Sequence, residues 1–257
     1  MYSESVVPFY SFDTITKKYQ SVGSAVLILH RSNIFFITAA HVIESLREHK
    51  TFIYFEHTLY ELGGFPAYLS DCSLFSSRND DPFDLAAIPL PVGLAEKCDI
   101  TKCITVEQHL AGMLISSQFY QAIGYPHSKN TKAANRTVRS HGMFRTEAIR
   151  YTVTEFGNQA FPYKSFDESF HIATCLTKTG KFQCTGENTN IPDLNGISGG
   201  LLQKVAEYNP ITDNFDYAYP AGIILEKKRD NSALYSLRLV VVFEWLDLHW
   251  KDILNVS

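Results

Sequence analysis

The stretch Asn195-Gly196-Ile197-Ser198-Gly199-Gly200 sets three glycines among six residues, directly before the apolar pair Leu201-Leu202. Glycine weakens both helix and strand but admits turn conformations closed to other residues. The chain must therefore make a sharp turn here, and that turn carries a serine. A glycine-rich hairpin tip is the plain interpretation. Two further segments argue for more. Phe35-Phe36-Ile37-Thr38-Ala39-Ala40 runs into His41, and Asp84 opens the run Leu85-Ala86-Ala87-Ile88. A histidine, an aspartate and a serine thus each stand at the end of an apolar run.

Those residue types suit one chemistry. A serine hydroxyl is a poor nucleophile until a neighbouring base takes its proton. His41 fits the base, because an imidazole titrates close to neutral pH. Asp84 fits the group that fixes the imidazole tautomer and stabilises the imidazolium. The backbone N–H groups of Gly196 and Ser198 fit the oxyanion hole of a tetrahedral intermediate. Asp71, Asp80 and Asp81 are the alternative acids.

On these motifs the chain resembles the trypsin-like (chymotrypsin-fold) serine peptidases. "ITAAHV" is similar to that family's histidine motif, "DLAAIPL" to its aspartate motif and "NGISGGLL" to its serine motif. "AIGYP" at 122–126 and "PAGIIL" at 220–225 resemble the strands before and after the serine loop. The resemblance runs from about Gly23 to the region of Trp245, and it is closer to the disulfide-free bacterial members. It implies an all-β fold of two packed six-stranded antiparallel β-barrels with a short C-terminal helix. It also implies an N-terminal barrel over residues 1–115 holding His41 and Asp84, and a C-terminal barrel over 116–257 holding Ser198. The implied activity is a serine endopeptidase acting through an acyl-enzyme. The alternative is a peptidase-like module that binds a protein without cutting it. Asp193, Leu225 and Glu226 are the candidates for the substrate pocket. Two departures stand out. Ile197 occupies the position where the secreted enzymes carry an aspartate, and no Ile-Val-Gly-Gly type amino terminus is present, so activation by a new amino terminus pairing with that acid is not expected.

Short β runs bounded by turn residues fit this fold. Strands are expected at Ser24–His30, Asn33–Thr38, Thr51–Glu56, Cys72–Phe75 and Leu85–Leu90. In the second half they are expected at Phe119–Gly124, Thr137–Glu155, Phe170–Leu176, Gly200–Val205, Ala218–Leu225 and Leu234–Val242. His41–Lys50 reads as a helical turn, and Phe243–Leu254 has a helical period with Phe243, Leu246 and Trp250 on one face. Val106–Ser117 is the expected connection between the halves.

Composition narrows the partners. The 257 residues are 45% hydrophobic and 19% charged, with a net charge of −4, which asks for neither nucleic acid nor an anionic membrane. Residues 129–150 hold six basic side chains against Glu147 and are expected to form a long hairpin with a solvated face. No apolar run approaches the roughly 18 residues of a membrane span. The first residues show no basic leader pattern, so the expected location is cytoplasmic. Cys72, Cys98, Cys103, Cys175 and Cys184 make an odd number, read as free thiols in a reducing compartment. The Cys175–Cys184 spacing is too wide for a usual zinc knuckle. No metal and no cofactor is expected. The expected partners are a protein or peptide substrate and a regulatory protein.

Overall fold

The computed structural model describes residues 2–46, 49–63, 66–73, 80–140, 146, 148–155, 166–176, 179–181, 188–190, 194–209, 211, 214–227 and 233–255. Seven strands come from the first third of the chain: β1 (Val6–Asp13), β2 (Lys18–His30), β3 (Asn33–Ala39), β4 (Lys50–Phe55), β5 (Thr58–Glu61), β6 (Tyr68–Leu69) and β7 (Leu85–Pro89). They form one sheet in the order β5-β4-β1-β2-β3-β7-β6. The short helix α1 (Ala40–Leu46) follows β3, and α2 (Val92–Ala95) and α3 (Val106–Met113) lead away from the sheet.

The later strands are β8 (Phe119–Gly124), β9 (Ile149–Glu155), β10 (His171–Cys175), the small pair β11 (Thr179–Lys181) and β12 (Asn188–Asn190), then β13 (Leu201–Asn209), β14 (Asn214–Lys227) and β15 (Ala233–Arg238). Six of them close a barrel in the order β10-β15-β14-β13-β8-β9. Helix α4 (His127–Ser140) lies between β8 and β9, and α5 (Leu239–Leu248) and α6 (Trp250–Asn255) end the chain.

The fold is thus mostly β, with one closed six-stranded barrel and a second sheet. The expectation of two six-stranded barrels needs correcting for the N-terminal half, which is a seven-stranded sheet ending at β5 and β6. β6 offers only two residues for pairing, so its outer edge gives little to close against.

Three further strand expectations change, and the connecting segment carries a helix. Val106–Ser117 contains α3, whose start is fixed by a capping box: the Gln108 N–H donates to Thr105 Oγ1, and the Gln108 side chain accepts from the Thr105 N–H. Residues 127–140 form α4 rather than half of a hairpin, and the strand begins only at Ile149. Leu234–Val242 is a strand only to Arg238, after which α5 begins. The expected strand at Cys72–Phe75 is not one at Cys72 and Ser73, and residues 74 and 75 lie outside the described residues. β1 and β5 carried no expectation at all.

One apolar core joins the halves. Phe9, Leu27, Phe36, Ile37 and Ile53 of the first sheet are fully buried, and the same cluster takes in Ile123, Leu201 and Ile223 from the barrel and Val242, Leu246 and Ile253 from the C-terminal helices. Phe243, Leu246 and Trp250 do pack inward together. α5 is tied back to the first sheet by Asp247, whose carboxylate meets His30 Nε2 at 2.9 Å and Arg31 at 2.6 Å. Cys72, Cys98, Cys103 and Cys175 are free thiols, and Cys184 lies outside the described residues. Among the described residues no helix is long and apolar enough to cross a membrane.

Candidate active site

Ile34, Phe35, Phe36 and Ile37 are buried in β3, and α1 begins within two residues of the strand's last apolar contact. His41 is the second residue of that helix, with its side chain 37% exposed against 13% for Asp84. Asp84 has φ +39, in the left-handed region that Asp and Asn enter more readily than other side chains. This conformation lets one residue hold three groups. Its carbonyl accepts the Ala40 N–H at 2.8 Å, Oδ1 accepts the His41 N–H at 3.0 Å, and Oδ2 lies 2.6 Å from His41 Nδ1. The carboxylate therefore fixes both the backbone and the ring of His41, leaving Nε2 as the free nitrogen.

The segment before Asp84 is braced from two sides. Asp81 is buried, accepting from Ser70 Oγ at 2.6 Å and from the Phe83 N–H at 3.0 Å, while Ser70 Oγ accepts the Leu85 N–H at 3.0 Å. Buried His171 reaches across from β10, its Nε2–H donating to the Pro82 carbonyl at 2.6 Å. Both residues support the aspartate loop, and His171 is a satisfied structural group.

The serine turn is a pair of tight hydrogen-bonded turns: the Ile197 N–H donates to Leu194 at 3.0 Å and the Gly200 N–H to Ile197 at 2.9 Å. Gly199 has φ +79, and a Cβ there would fall on the Ser24 carbonyl and Thr38 Oγ1. Ser198 is stitched to the first sheet, its carbonyl accepting the Ser24 N–H at 2.8 Å. Ile197 is 1% exposed and packs in the barrel core with Leu194, Leu202 and Ile224. Here apolar burial of Ile197 anchors the turn in the barrel.

His41, Asn195, Gly196 and Ser198 line one cavity of about 520 Å³, which Glu226 and Lys227 share. The structure thus brings His41, Asp84 and Ser198 to one place. Leu225 is 5% exposed and belongs to the core, and it does not line this cavity. Asp193 lies outside the described residues. Among the described residues the N–H groups of Gly196 and Ser198 donate to nothing, and Ser198 Oγ makes no hydrogen bond to His41. That last bond is often long in free enzymes and tightens when substrate binds.

Charge sets the state of His41. Burial works against its protonated form most strongly. The hydrogen bond to Asp84 and the negative charges of Asp84, Glu226 and Glu44 outweigh that, so its pKa stands above the ordinary 6.5.

Two contributors were not legible as site residues. The His127 N–H, at the start of α4, donates to the Asn195 carbonyl at 2.6 Å. Ser24 Oγ donates to the Gly196 carbonyl at 3.2 Å and accepts the Tyr125 N–H at 3.0 Å. α4 is in turn held on β2 by side chains spaced four apart. His127 Nδ1–H donates to the Ser21 carbonyl at 2.6 Å, Thr131 Oγ1 accepts the Ser21 N–H at 2.9 Å, and Asn135 bonds both the N–H and the carbonyl of Tyr19. The i, i+4, i+8 spacing of His, Thr and Asn after Pro126 was the available signal.

No protein-family model matches the chain, and no curated protein matches it. Among solved structures it is similar to a serine endoprotease from Yersinia pestis, with 15% identity and a TM-score of 0.49. The likeness covers 97% of this chain and 64% of that one, so this chain spans just under two thirds of that protein's length. So distant a likeness says nothing about the chemistry of this site.

Proposed function

We propose that the chain is a serine endopeptidase of the trypsin-like kind, with Ser198 as nucleophile, His41 as general base and acid, and Asp84 as the orienting carboxylate. The observation that carries this is the arrangement around one cavity: a histidine locked by an aspartate, a serine on a tight glycine turn, and two N–H groups left without acceptors. Ser198 Oγ attacks the scissile carbonyl carbon while His41 Nε2 takes its proton, and Asp84 stabilises the resulting imidazolium. The carbonyl oxygen becomes an oxyanion facing the Gly196 and Ser198 N–H groups, where one donor is worth about 10²–10³ in rate. Collapse expels the amine, which takes the proton from His41 and leaves an ester on Ser198. Water, deprotonated by His41, then hydrolyses that ester.

In this reading the seven-stranded sheet is an opened counterpart of the first barrel, Glu226 faces the substrate, and the substrate is a specific protein. A role in defence or quality control, under a regulatory partner, fits a peptidase that acts on one specific protein. The second reading, a module that binds protein without cutting it, is favoured by the missing Ser198–His41 hydrogen bond. A fluorophosphonate probe separates the two. Labelling of the wild type and not of Ser198→Ala supports the peptidase, and no labelling of either at high probe concentration and long exposure supports the binding module.

A further inference from the structure

A second cavity, of about 190 Å³, lies at one end of the barrel and shares no residue with the first. Its polar lining is His109 from α3, Lys204 from β13 and Arg238 at the β15–α5 junction. Met113, Ile172 and Val240 give it an apolar wall. Lys204 Nζ donates to the Ile115 carbonyl at 2.9 Å and Arg238 Nε to the Glu168 carbonyl at 3.0 Å. Among the described residues neither cation pairs with a carboxylate, and no acidic side chain lines the cavity. His109 is 6% exposed. Its Nδ1–H donates to the Pro220 carbonyl at 3.1 Å, while Nε2 is buried with no partner. A buried polar atom without a partner is destabilising, and two cations without a carboxylate partner beside it add an unmet demand for negative charge.

We infer that this cavity binds a small organic acid, its carboxylate between Lys204, Arg238 and His109 and its short apolar body against Met113, Ile172 and Val240. The apolar wall selects a carboxylic acid over a bare inorganic anion, which would leave that wall against water. The volume suits the class, since a water takes about 30 Å³ and a short-chain acid only a few times that. With Nδ1–H committed to Pro220, Nε2 meets a carboxylate only as N–H, so binding takes up one proton on His109. The other titratable groups on the cavity are Lys204, Arg238 and Tyr120 of β8. From β14 the contact is the Pro220 carbonyl, and from α5 it is the Phe243 ring. Binding therefore tightens as pH falls.

The test is a titration of the intact chain with butyrate, with inorganic phosphate in a parallel arm, followed by calorimetry and by the ring signals of His109. Saturable butyrate binding, with the His109 ring becoming protonated as it saturates, is the expected result. Lys204→Met and Arg238→Met should each weaken it about tenfold, the loss of one charged hydrogen bond. Phosphate binding as tight as butyrate, a His109 ring unmoved at saturating butyrate, or full affinity in both variants would overturn the inference. The ring signals are read in the unsubstituted protein, so the result stands even if a variant fails to fold.

Discussion

The Asn195 carbonyl is held by the His127 N–H at 2.6 Å. In a trans peptide the C=O and the following N–H point in opposite directions, so anchoring this carbonyl on α4 turns the Gly196 N–H the other way. Gly196 lines the cavity beside Ser198 and His41. The first donor of the proposed oxyanion hole is therefore oriented by a helix that is itself pinned to β2.

His127 stands at the first position of α4, where proline is tolerated because that N–H has no helical acceptor. His127→Pro should keep the helix while deleting the bond to Asn195. The expected result is a fall in kcat approaching the 10²–10³ of a lost oxyanion donor, with a small change in KM. His127→Ala keeps the N–H and should fall much less. Steady-state kinetics on a peptide ester compares the two, and equal losses would show that the side chain, not the N–H, matters.

Asp84 sits at φ +39, a conformation asparagine also tolerates. Asp84→Asn should therefore fold normally and still accept the His41 N–H. It would present an amide to Nδ1 and favour the wrong tautomer, at a cost of about 10⁴ in kcat. Asp81→Asn should act through stability instead, because Asp81 meets Ser70 and the Phe83 N–H rather than His41. Loss of activity in Asp81→Asn with unchanged melting would reverse these assignments.

How far the sequence reveals this arrangement depends on the range of the signal. The strands β3 and β7 are largely apolar runs, and His41, Asp84 and Ser198 sit at the ends of such runs, so local pattern is enough. α4 is not legible locally because its polar residues look like a solvated hairpin. Its Asn135, Thr131 and His127 satisfy the backbone of Tyr19 and Ser21 more than a hundred positions earlier, and no local period shows that. β1 escaped notice because it is buried along most of its length and lacks alternation. The polar end of the barrel was equally hidden, since His109, Lys204 and Arg238 meet only after closure.

The raised pKa of His41 gives a pH dependence of definite sign. The base must be neutral, so kcat/KM should fall as pH drops through a value above 6.5. Glu226→Gln removes one of the charges holding that proton, and its acidic limb should move to lower pH. The linked stability runs the other way. A folded pKa above the unfolded one stabilises the chain fully below about 6.5, and that stabilisation is lost as pH rises through the folded pKa. A pH–rate profile with its limb unmoved in Glu226→Gln would remove Glu226 from the electrostatics of the site.

Gly199→Ala tests the turn itself. The substitution combines a left-handed φ of +79, costing about 1–3 kcal/mol, with a Cβ placed against the Ser24 carbonyl and Thr38 Oγ1, costing about 1–3 kcal/mol more. A loss of about 2–6 kcal/mol in unfolding free energy is expected in denaturant titration. Gly93→Ala is the control, since a Cβ there meets nothing, and it should be close to neutral.

In the proposed peptidase, restraint depends on which parts of the site are already assembled. Asn195 and Ser24 orient the oxyanion turn in the isolated chain, whereas Ser198 Oγ has no hydrogen bond to His41 among the described residues. The missing step is then activation of the nucleophile, and binding energy from an extended substrate or a partner is what closes it. The isolated chain should digest casein slowly. Lengthening a peptide substrate away from the scissile bond should raise kcat rather than only lower KM, because the added contacts are used to assemble the reacting geometry. Fluorophosphonate labelling should accelerate in parallel when a cognate protein is added. Rapid, indiscriminate casein digestion by the purified chain would show that His41 and Ser198 are already engaged and that no such restraint operates.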